Sequence, residues 1–341
     1  MADARGVIFY TDYPAVSQTI SCSKRMPKII FDTSIGTTNL GDHIIMDAVN
    51  RISDELFMDD FVINVPTHFS IHPKDLHKLR KYDSGIMGGT NLLKNNTLRK
   101  SQWKVGMKDV LVLRHKVVLL GVGWWQYQDK PVSAYSKMMY RSLFSKRYLH
   151  AVRDNYTLQK LAEIGIKNVI NTGCPTVWGL DEPHCSQINP KKRDTVITTV
   201  TDYMRDTDRD RRMFEILKKH YRNVYVWVQG SKDRAYIDSL TAGIGYVSPK
   251  LSAFDSFLER EPCEYVGTRL HAGIRALQKK RKAIIIGIDN RALEMRNDIA
   301  LNVLERQRID LLEEKIHEEM SVKLYLDKDA IHRWKTQFKS P

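Results

Sequence analysis

The stretch EYVGTRLHAGIRALQKKRKAIIIGID, residues 264–289, carries a short apolar run at Tyr265 and Val266, a Gly267-Thr268 turn, a helical spacing over 270–279 and a second apolar run over 283–288. That succession predicts a strand, a helix and a second strand parallel to the first. Leu270, Ile274 and Leu277 recur at i, i+4 and i+7 and supply the buried stripe of the helix. Arg269, His271 and Arg275 lie off that stripe, so packing gives no reason for them. All three are read as standing near the positive end of the helix, where an anion is favoured.

A chain of 341 residues exceeds the size at which one core usually keeps growing, which predicts two domains. Its 42% hydrophobic and 28% charged content excludes a disordered chain. The net charge of +14 points to anionic surroundings: a phosphorylated substrate, an acidic membrane face or nucleic acid. No RNA-binding signature, zinc-finger spacing or Arg/Gly-rich tail supports nucleic acid, so none is expected as a partner. Four scattered cysteines (Cys22, Cys174, Cys185, Cys263) form no CxxC pair and suggest neither structural zinc nor a disulfide framework. The opening MADARGVIFYTDYPAV lacks a long apolar segment, and no apolar run reaches the roughly 18 residues of a membrane span. A cytoplasmic location is expected.

Along the chain, residues 1–27 read as an extension with one strand at 6–10, and regular order begins at PKIIFD. Strands are expected at 28–32, 61–65, 84–87, 117–120 and 169–171, with a helix over 43–57 marked by Ile45, Val49, Ile52 and Leu56. Glycine turns follow three of these strands: TTNLGD, GGTN at 88–91 and GVGWW at 121–125. A polar stretch at 184–194 predicts a linker between a first domain over 28–183 and a second over 195–325. The second set comprises strands at 195–200 and 223–228, helices at 209–220 and 252–260, and the opening unit. In the tail 326–341, Ile331, Trp334 and Phe338 share one helical face that can pack back on the body. Strand, glycine turn and helix in alternation predict an α/β protein with two Rossmann-like domains facing a central cleft.

Five stretches in order resemble the polysaccharide pyruvyl transferases: TTNLGDHIIMDAV, IMGGTNLL, AVRDNYTLQKLAEIGI followed by NTGCPT, GTRLHAGIRAL, and AIIIGIDNRALEM. The resemblance implies a GT-B-like architecture, with the first domain on the acceptor side and the second on the donor side. It implies phosphoenolpyruvate as donor substrate, no further cofactor and no metal, and a glycan or lipid-linked oligosaccharide as acceptor. Pyruvate would be attached to a sugar of a cell-surface polysaccharide as a ketal. The donor's carboxylate and phosphate both require cationic or N–H partners.

By the same resemblance His271 is the expected acid/base and Arg269 the expected anion clamp. Asn39, Gly41, Asp42, Gly88, Gly89, Thr90, Asn91, Arg153, Leu270, Asp289, Asn290 and Arg291 are the expected substrate-binding residues. The residues alone leave second readings open: His271 capping its own loop, Arg269 in a surface ion pair, Arg291 solvated, Arg153 paired with Asp154 at a helix start. One segment departs from the family pattern. Where relatives end the first strand of the second domain in Ser-Leu-Arg, this chain has ITTVTDYMRD, with Thr199, Thr201 and Asp202 in place and Arg205 as the available substitute for the arginine.

Residues 133–152, SAYSKMMYRSLFSKRYLHAV, read as a basic amphipathic helix, able either to pack on the core or to rest on an acidic membrane surface. Two rival functions stand beside pyruvyl transfer: a GT-B glycosyltransferase using a nucleotide-sugar donor, because fold does not fix function, and a catalytically silent sugar- or nucleotide-binding protein.

Overall fold

The computed structural model describes residues 27–99, 101–319 and 321–339; the strand expected at 6–10 lies outside the described residues. Among the described residues twelve strands, all paired in parallel, form two six-stranded sheets with flanking helices. The first sheet contains β1 (Lys28–Asp32), β2 (Val62–Pro66), β3 (Gly85–Gly88), β4 (Val117–Val122), β5 (His150–Val152) and β6 (Val169–Asn171), in the order β2-β1-β3-β4-β5-β6. The second contains β7 (Thr195–Thr199), β8 (Asn223–Trp227), β9 (Gly245–Val247), β10 (Cys263–Gly267), β11 (Ala283–Gly287) and β12 (Val303–Glu305), in the order β12-β11-β10-β7-β8-β9. The central strands β4, β7, β10 and β11 are buried along their whole length, as strands covered by helices on both faces must be. The doubly wound expectation is met in both halves.

β5, β9 and β12 were not foreseen: 150–152 falls at the end of the stretch that reads as a basic helix, and β9 and β12 are three-residue runs without a readable period. The first long helix spans Leu40–Leu56 and starts three residues earlier than its apolar pattern, since Asn39 caps it by accepting from the Gly41 N–H. The segment 133–152 is not one helix. The helix Ala134–Leu143 ends where Phe144 turns extended, buries its ring against Tyr140 and Trp103, and bridges to Val117. Lys146 and Arg147 therefore lie exposed between that helix and β5. Among the described residues no helix is long and apolar enough to cross a membrane.

The helix Leu40–Leu56 serves both halves. Ile45, Met46, Val49 and Ile52 pack with the first sheet, whereas Ile44 joins the core of the second half with Ile274 and Leu277. Arg275 also ties elements together: its guanidinium donates to both oxygens of Asp255 (2.7 and 2.6 Å) and to Asp47 (2.8 Å). It is committed to joining the helices Leu40–Leu56, Leu251–Arg260 and Leu270–Gln278, and is not placed for an anion. The stretch 184–194 is packed as well, since Cys185 and Ile188 are buried with the second-half core and His184 Nε2 contacts the Leu277 carbonyl at 2.8 Å.

The helix Lys328–Thr336 lays Trp334 into the cluster formed by the first sheet and the helix Leu40–Leu56. Trp334 is fully buried, edge-on to Trp178 (5.9 Å) and Phe338 (5.0 Å). Trp334→Ala should destabilise the protein by about 3–5 kcal/mol, the cost of an aromatic cavity that surrounding side chains fill only in part. Urea denaturation measures this; an unchanged midpoint would mean that the last helix contributes nothing to the body.

Candidate active site

Each sheet reverses its winding at one place, between β1 and β3 in the first and between β7 and β10 in the second. Loops leaving the carboxyl ends of strands at such a reversal diverge and leave a crevice. Here the two crevices face each other across one cavity of about 520 Å³. The loops after β1 (Thr38, Asn39), β3 (Thr90, Asn91), β7 (Asp202, Tyr203, Met204) and β10 (Arg269, Leu270, His271) all line it. The halves touch directly at its edge: the Leu40 N–H donates to the Gln229 carbonyl (2.9 Å) and the Ser231 N–H to the Thr38 carbonyl (3.1 Å).

His271 sits in the first turn of the helix Leu270–Gln278 and is only 5% exposed. Its Nε2 lies 3.7 Å from the Cys174 sulfur, which also accepts from the Thr176 hydroxyl. Its Nδ1 has no partner among the described residues, and His271 belongs to the cavity wall. Burial, reinforced by the charges of Arg291 and Arg153 and opposed by Asp289, pushes its pKa down to about 3. Burial therefore favours the neutral form of His271 in the structure without a ligand.

Arg269 is also buried, and Asp233 holds its Nη2 with both carboxylate oxygens, Oδ2 at 2.6 Å. Asp202 lies 3.9 Å from the same nitrogen, and Arg269 Nε is buried without a partner among the described residues. Asp233 is in turn fixed by the Gly230 and Asp202 N–H groups (2.7 and 3.0 Å), so one carboxylate links the loops after β7, β8 and β10. Arg269 is thus not free to offer its whole fork to a ligand. Its Nη1 edge is what remains for the cavity.

Arg291 and Asp289 form the third charged group. Asp289 caps the helix Asn290–Ile299 and accepts from Arg291 Nη2 at 2.6 Å and from the Tyr203 hydroxyl at 3.2 Å. Burial works to raise the Asp289 pKa, but the Arg291 charge and hydrogen bonds outweigh it and hold the carboxyl below its usual range. Tyr203 lies beneath both arginines, with guanidinium carbons 5.2 Å (Arg269) and 5.8 Å (Arg291) from its ring centre. From the first half, Asp42 accepts from Thr37 (2.7 Å) and more loosely from Asn39 and Thr90 (both 3.4 Å); burial raises its pKa against those bonds. Among the described residues no three of His, Cys, Asp or Glu converge as a metal-ion site.

The match of a family model for polysaccharide pyruvyl transferases covers residues 39–290, which hold both crevices and the whole charged wall. The chain belongs to that family. Membership makes it a transferase of pyruvyl groups to polysaccharide. In fold it is similar to the Methanocaldococcus jannaschii UDP-GlcNAc 2-epimerase solved with UDP-GlcNAc and UDP (TM-score 0.53, 10% identity, covering 90% of this chain and 97% of that one). It is likewise similar to S. aureus MnaA solved with UDP (TM-score 0.53, 13% identity, 90% and 94% covered). At such identity these likenesses establish the GT-B-type fold alone. No curated protein matches the chain in sequence.

In this pyruvyl transferase Asn39, Asp42, Thr90, Asn91, Arg269, Leu270, His271, Asp289 and Arg291 share the cavity, while six other expected residues do not line it. Gly88 and Gly89 lie under the helix Leu40–Leu56, where an added Cβ would come within 2.5 Å of Val49 and 2.0 Å of Ile45; Gly89 moreover has φ +55°. Gly41 is needed where Gln229 crosses from the other half, 2.7 Å from a Cβ there. Arg153 is buried beside Gly123 and pairs with Asp154 (2.9 Å), which caps the helix Asn155–Glu163. Asn290 donates across the halves to the Trp124 carbonyl (3.2 Å). Arg205 is exposed, bonds the Asp202 carbonyl and stacks on Tyr236 (4.8 Å), so it does not replace the missing arginine. Lys232, Asp233, Gln229 and Tyr203 were not foreseen. The turn QGSKD after β8 is the signal that could have found three of them, being another glycine turn at a strand end.

Two measurements follow from these environments. Arg269→Ala strands the buried Asp233 carboxylate, so it should cost about 3–5 kcal/mol of stability, with much of that recovered in Arg269→Ala/Asp233→Ala; denaturation of both variants decides. His271 has a folded pKa of about 3, below its unfolded value of about 6.5. Between those pH values the unfolded chain binds the extra proton, so the stability of the neutral histidine is complete above about pH 6.5 and lost as pH falls toward 3. His271→Gln should flatten that acid limb in thermal melts, leaving the share of His150, whose pKa burial lowers to about 4.

Proposed function

We propose that the cavity transfers pyruvate from phosphoenolpyruvate to a sugar diol as a ketal. The observation that carries this reading is the placement of His271 on a helix N-terminus, with one ring nitrogen unpartnered, among Arg269, Arg291 and Lys232. Phosphoenolpyruvate brings a carboxylate and a phosphate. Lys232, exposed at the rim with no ion pair among the described residues, and the open edges of Arg269 and Arg291 are the groups suited to them.

The reaction needs one proton on the methylene carbon, addition of a sugar hydroxyl to C2, departure of phosphate and closure by a second hydroxyl. Two hydroxyl protons balance the new methyl hydrogen and the proton leaving on phosphate. Burial is the main reason the imidazole is neutral and the Arg291 and Arg153 charges add to it; a polyanionic donor beside His271 offsets those charges, so its pKa rises when the donor is bound. The histidine then becomes an acid only with substrate in place, and its proton has somewhere productive to go. The acceptor is a glycan or lipid-linked oligosaccharide, with the chemistry taking place in the cytoplasm; contact with acidic membrane remains open to the exposed Lys146 and Arg147.

A nucleotide-sugar donor is the second reading, supported by the GT-B-type fold and by Asp42, Asp202 and Asp289 in the same cavity as acceptors for sugar and ribose hydroxyls. Thermal melts with phosphoenolpyruvate or with a nucleotide-sugar mixture separate the two, because only a bound ligand raises the melting temperature. The expected result is a shift with phosphoenolpyruvate and phosphate release when a lipid-linked glycan fraction is added. His271→Gln should lower turnover by about 10²–10⁴ while nearly keeping the donor-induced shift. Normal turnover in that variant would remove His271 from the chemistry.

A further inference from the structure

The donor chemistry leaves one wall of the cavity unused. β4 is followed by Gly123, Trp124, Trp125 and Gln126. Trp124 is fully buried, its indole N–H donating to Asn95 (2.8 Å), and is ordinary core. Its neighbour is not. Trp125 remains 44% exposed on the cavity wall, with the Lys94 ammonium 5.0 Å from its ring centre and its backbone held by the Leu93 carbonyl (2.7 Å).

Two independent features show that this wall is built. Thr90 and Gln126, both lining the cavity, hold left-handed backbone (φ 56° and 55°), a conformation unfavourable for residues with a side chain and one found where tertiary structure fixes a functional geometry. Gln126 Nε2 also reaches the Met204 sulfur (3.7 Å), tying this loop to the one that carries Tyr203, itself 47% exposed on the cavity. Second, Asn91 is 8% and Gln229 4% exposed; both line the cavity, and each leaves its side-chain carbonyl oxygen buried without a donor.

An exposed indole ring beside polar side chains discriminates between ligands. Ionised phosphoenolpyruvate is a small polyanion with no C–H face to lay on that ring. A saccharide has one: the C–H face of a pyranose covers an aromatic ring while its hydroxyls point outward to polar side chains. We propose that Trp125 is the stacking platform of a saccharide subsite, with Gln126, Asn91 and Gln229 as hydroxyl partners and Tyr203 on the opposite side. Calling the bound saccharide the acceptor rests on the pyruvyl-transfer reading; the subsite itself does not.

Saturation-transfer NMR on the full chain tests this, with methyl β-galactopyranoside, methyl α-mannopyranoside and methyl N-acetyl-β-glucosaminide as probes and uridine as competitor. At least one pyranoside should receive saturation on its ring C–H protons. Trp125→Ala should weaken that binding about tenfold, and Trp125→Phe should largely restore it. The melting shift produced by phosphoenolpyruvate should be the same in Trp125→Ala as in the parent. The proposal is overturned if no pyranoside receives saturation, if Trp125→Ala binds them as the parent does, or if uridine alone occupies the wall. Pyranoside binding that depends on Trp125 in a protein indifferent to phosphoenolpyruvate would support the subsite while removing the donor assignment.

Discussion

In a parallel sheet every strand ends at the same edge, and both sheets of this protein turn that edge toward the other. All the chemistry depends on this constraint. Where strand order reverses, neighbouring loops leave in opposite directions, so their side chains are not used by adjacent packing and are free to face a ligand. The helix Leu270–Gln278 follows β10, a strand at the reversal of the second sheet, which is why its N-terminus and His271 reach the cavity instead of the outer surface. The helix Leu40–Leu56 follows β1 at the reversal of the first sheet and is wedged between the two cores.

Electrostatically the cavity differs from the chain as a whole. The protein carries a net charge of +14, yet Arg269 faces Asp233 and Arg291 faces Asp289. Each pair is largely buried, where a lone charge would be expensive and a paired one is tolerated. The pairs keep the guanidinium groups in fixed positions and leave only part of each fork for an incoming anion. His271 is neutral chiefly because it is buried; the Arg291 and Arg153 charges add to this and Asp289 opposes it. Arg291 is the one guanidinium that both lines the cavity and acts on the charge of the histidine.

The polar atoms without internal partners are informative for the same reason. Buried amide oxygens are nearly always satisfied, yet those of Asn91 and Gln229, two residues of the cavity wall, are buried without a donor among the described residues. Their rigidity comes from outside the cavity. Gln229 also donates to Asn39 (2.8 Å), and the two halves are joined there by the Asn39 and Gly230 bridge.

The sequence by itself determined the α/β class, the long strands and the helix that carries His271, because hydrophobic period is a local property written in consecutive residues. It also marked the strand ends that meet at the site, through glycine turns such as TTNLGD and GGTN, although the glycines in them proved to admit a packed helix and a crossing side chain. What it did not contain was the partner of each charge. Arg269 is held by an aspartate 36 positions away and Arg275 by one 228 positions away, so no local pattern could say that the first is half occupied and the second wholly so. Burial of His271 and the exposure of Trp125 beside a buried Trp124 belong to the same class. Only tertiary structure decided them, because burial and charge pairing depend on which loops the two sheets bring together.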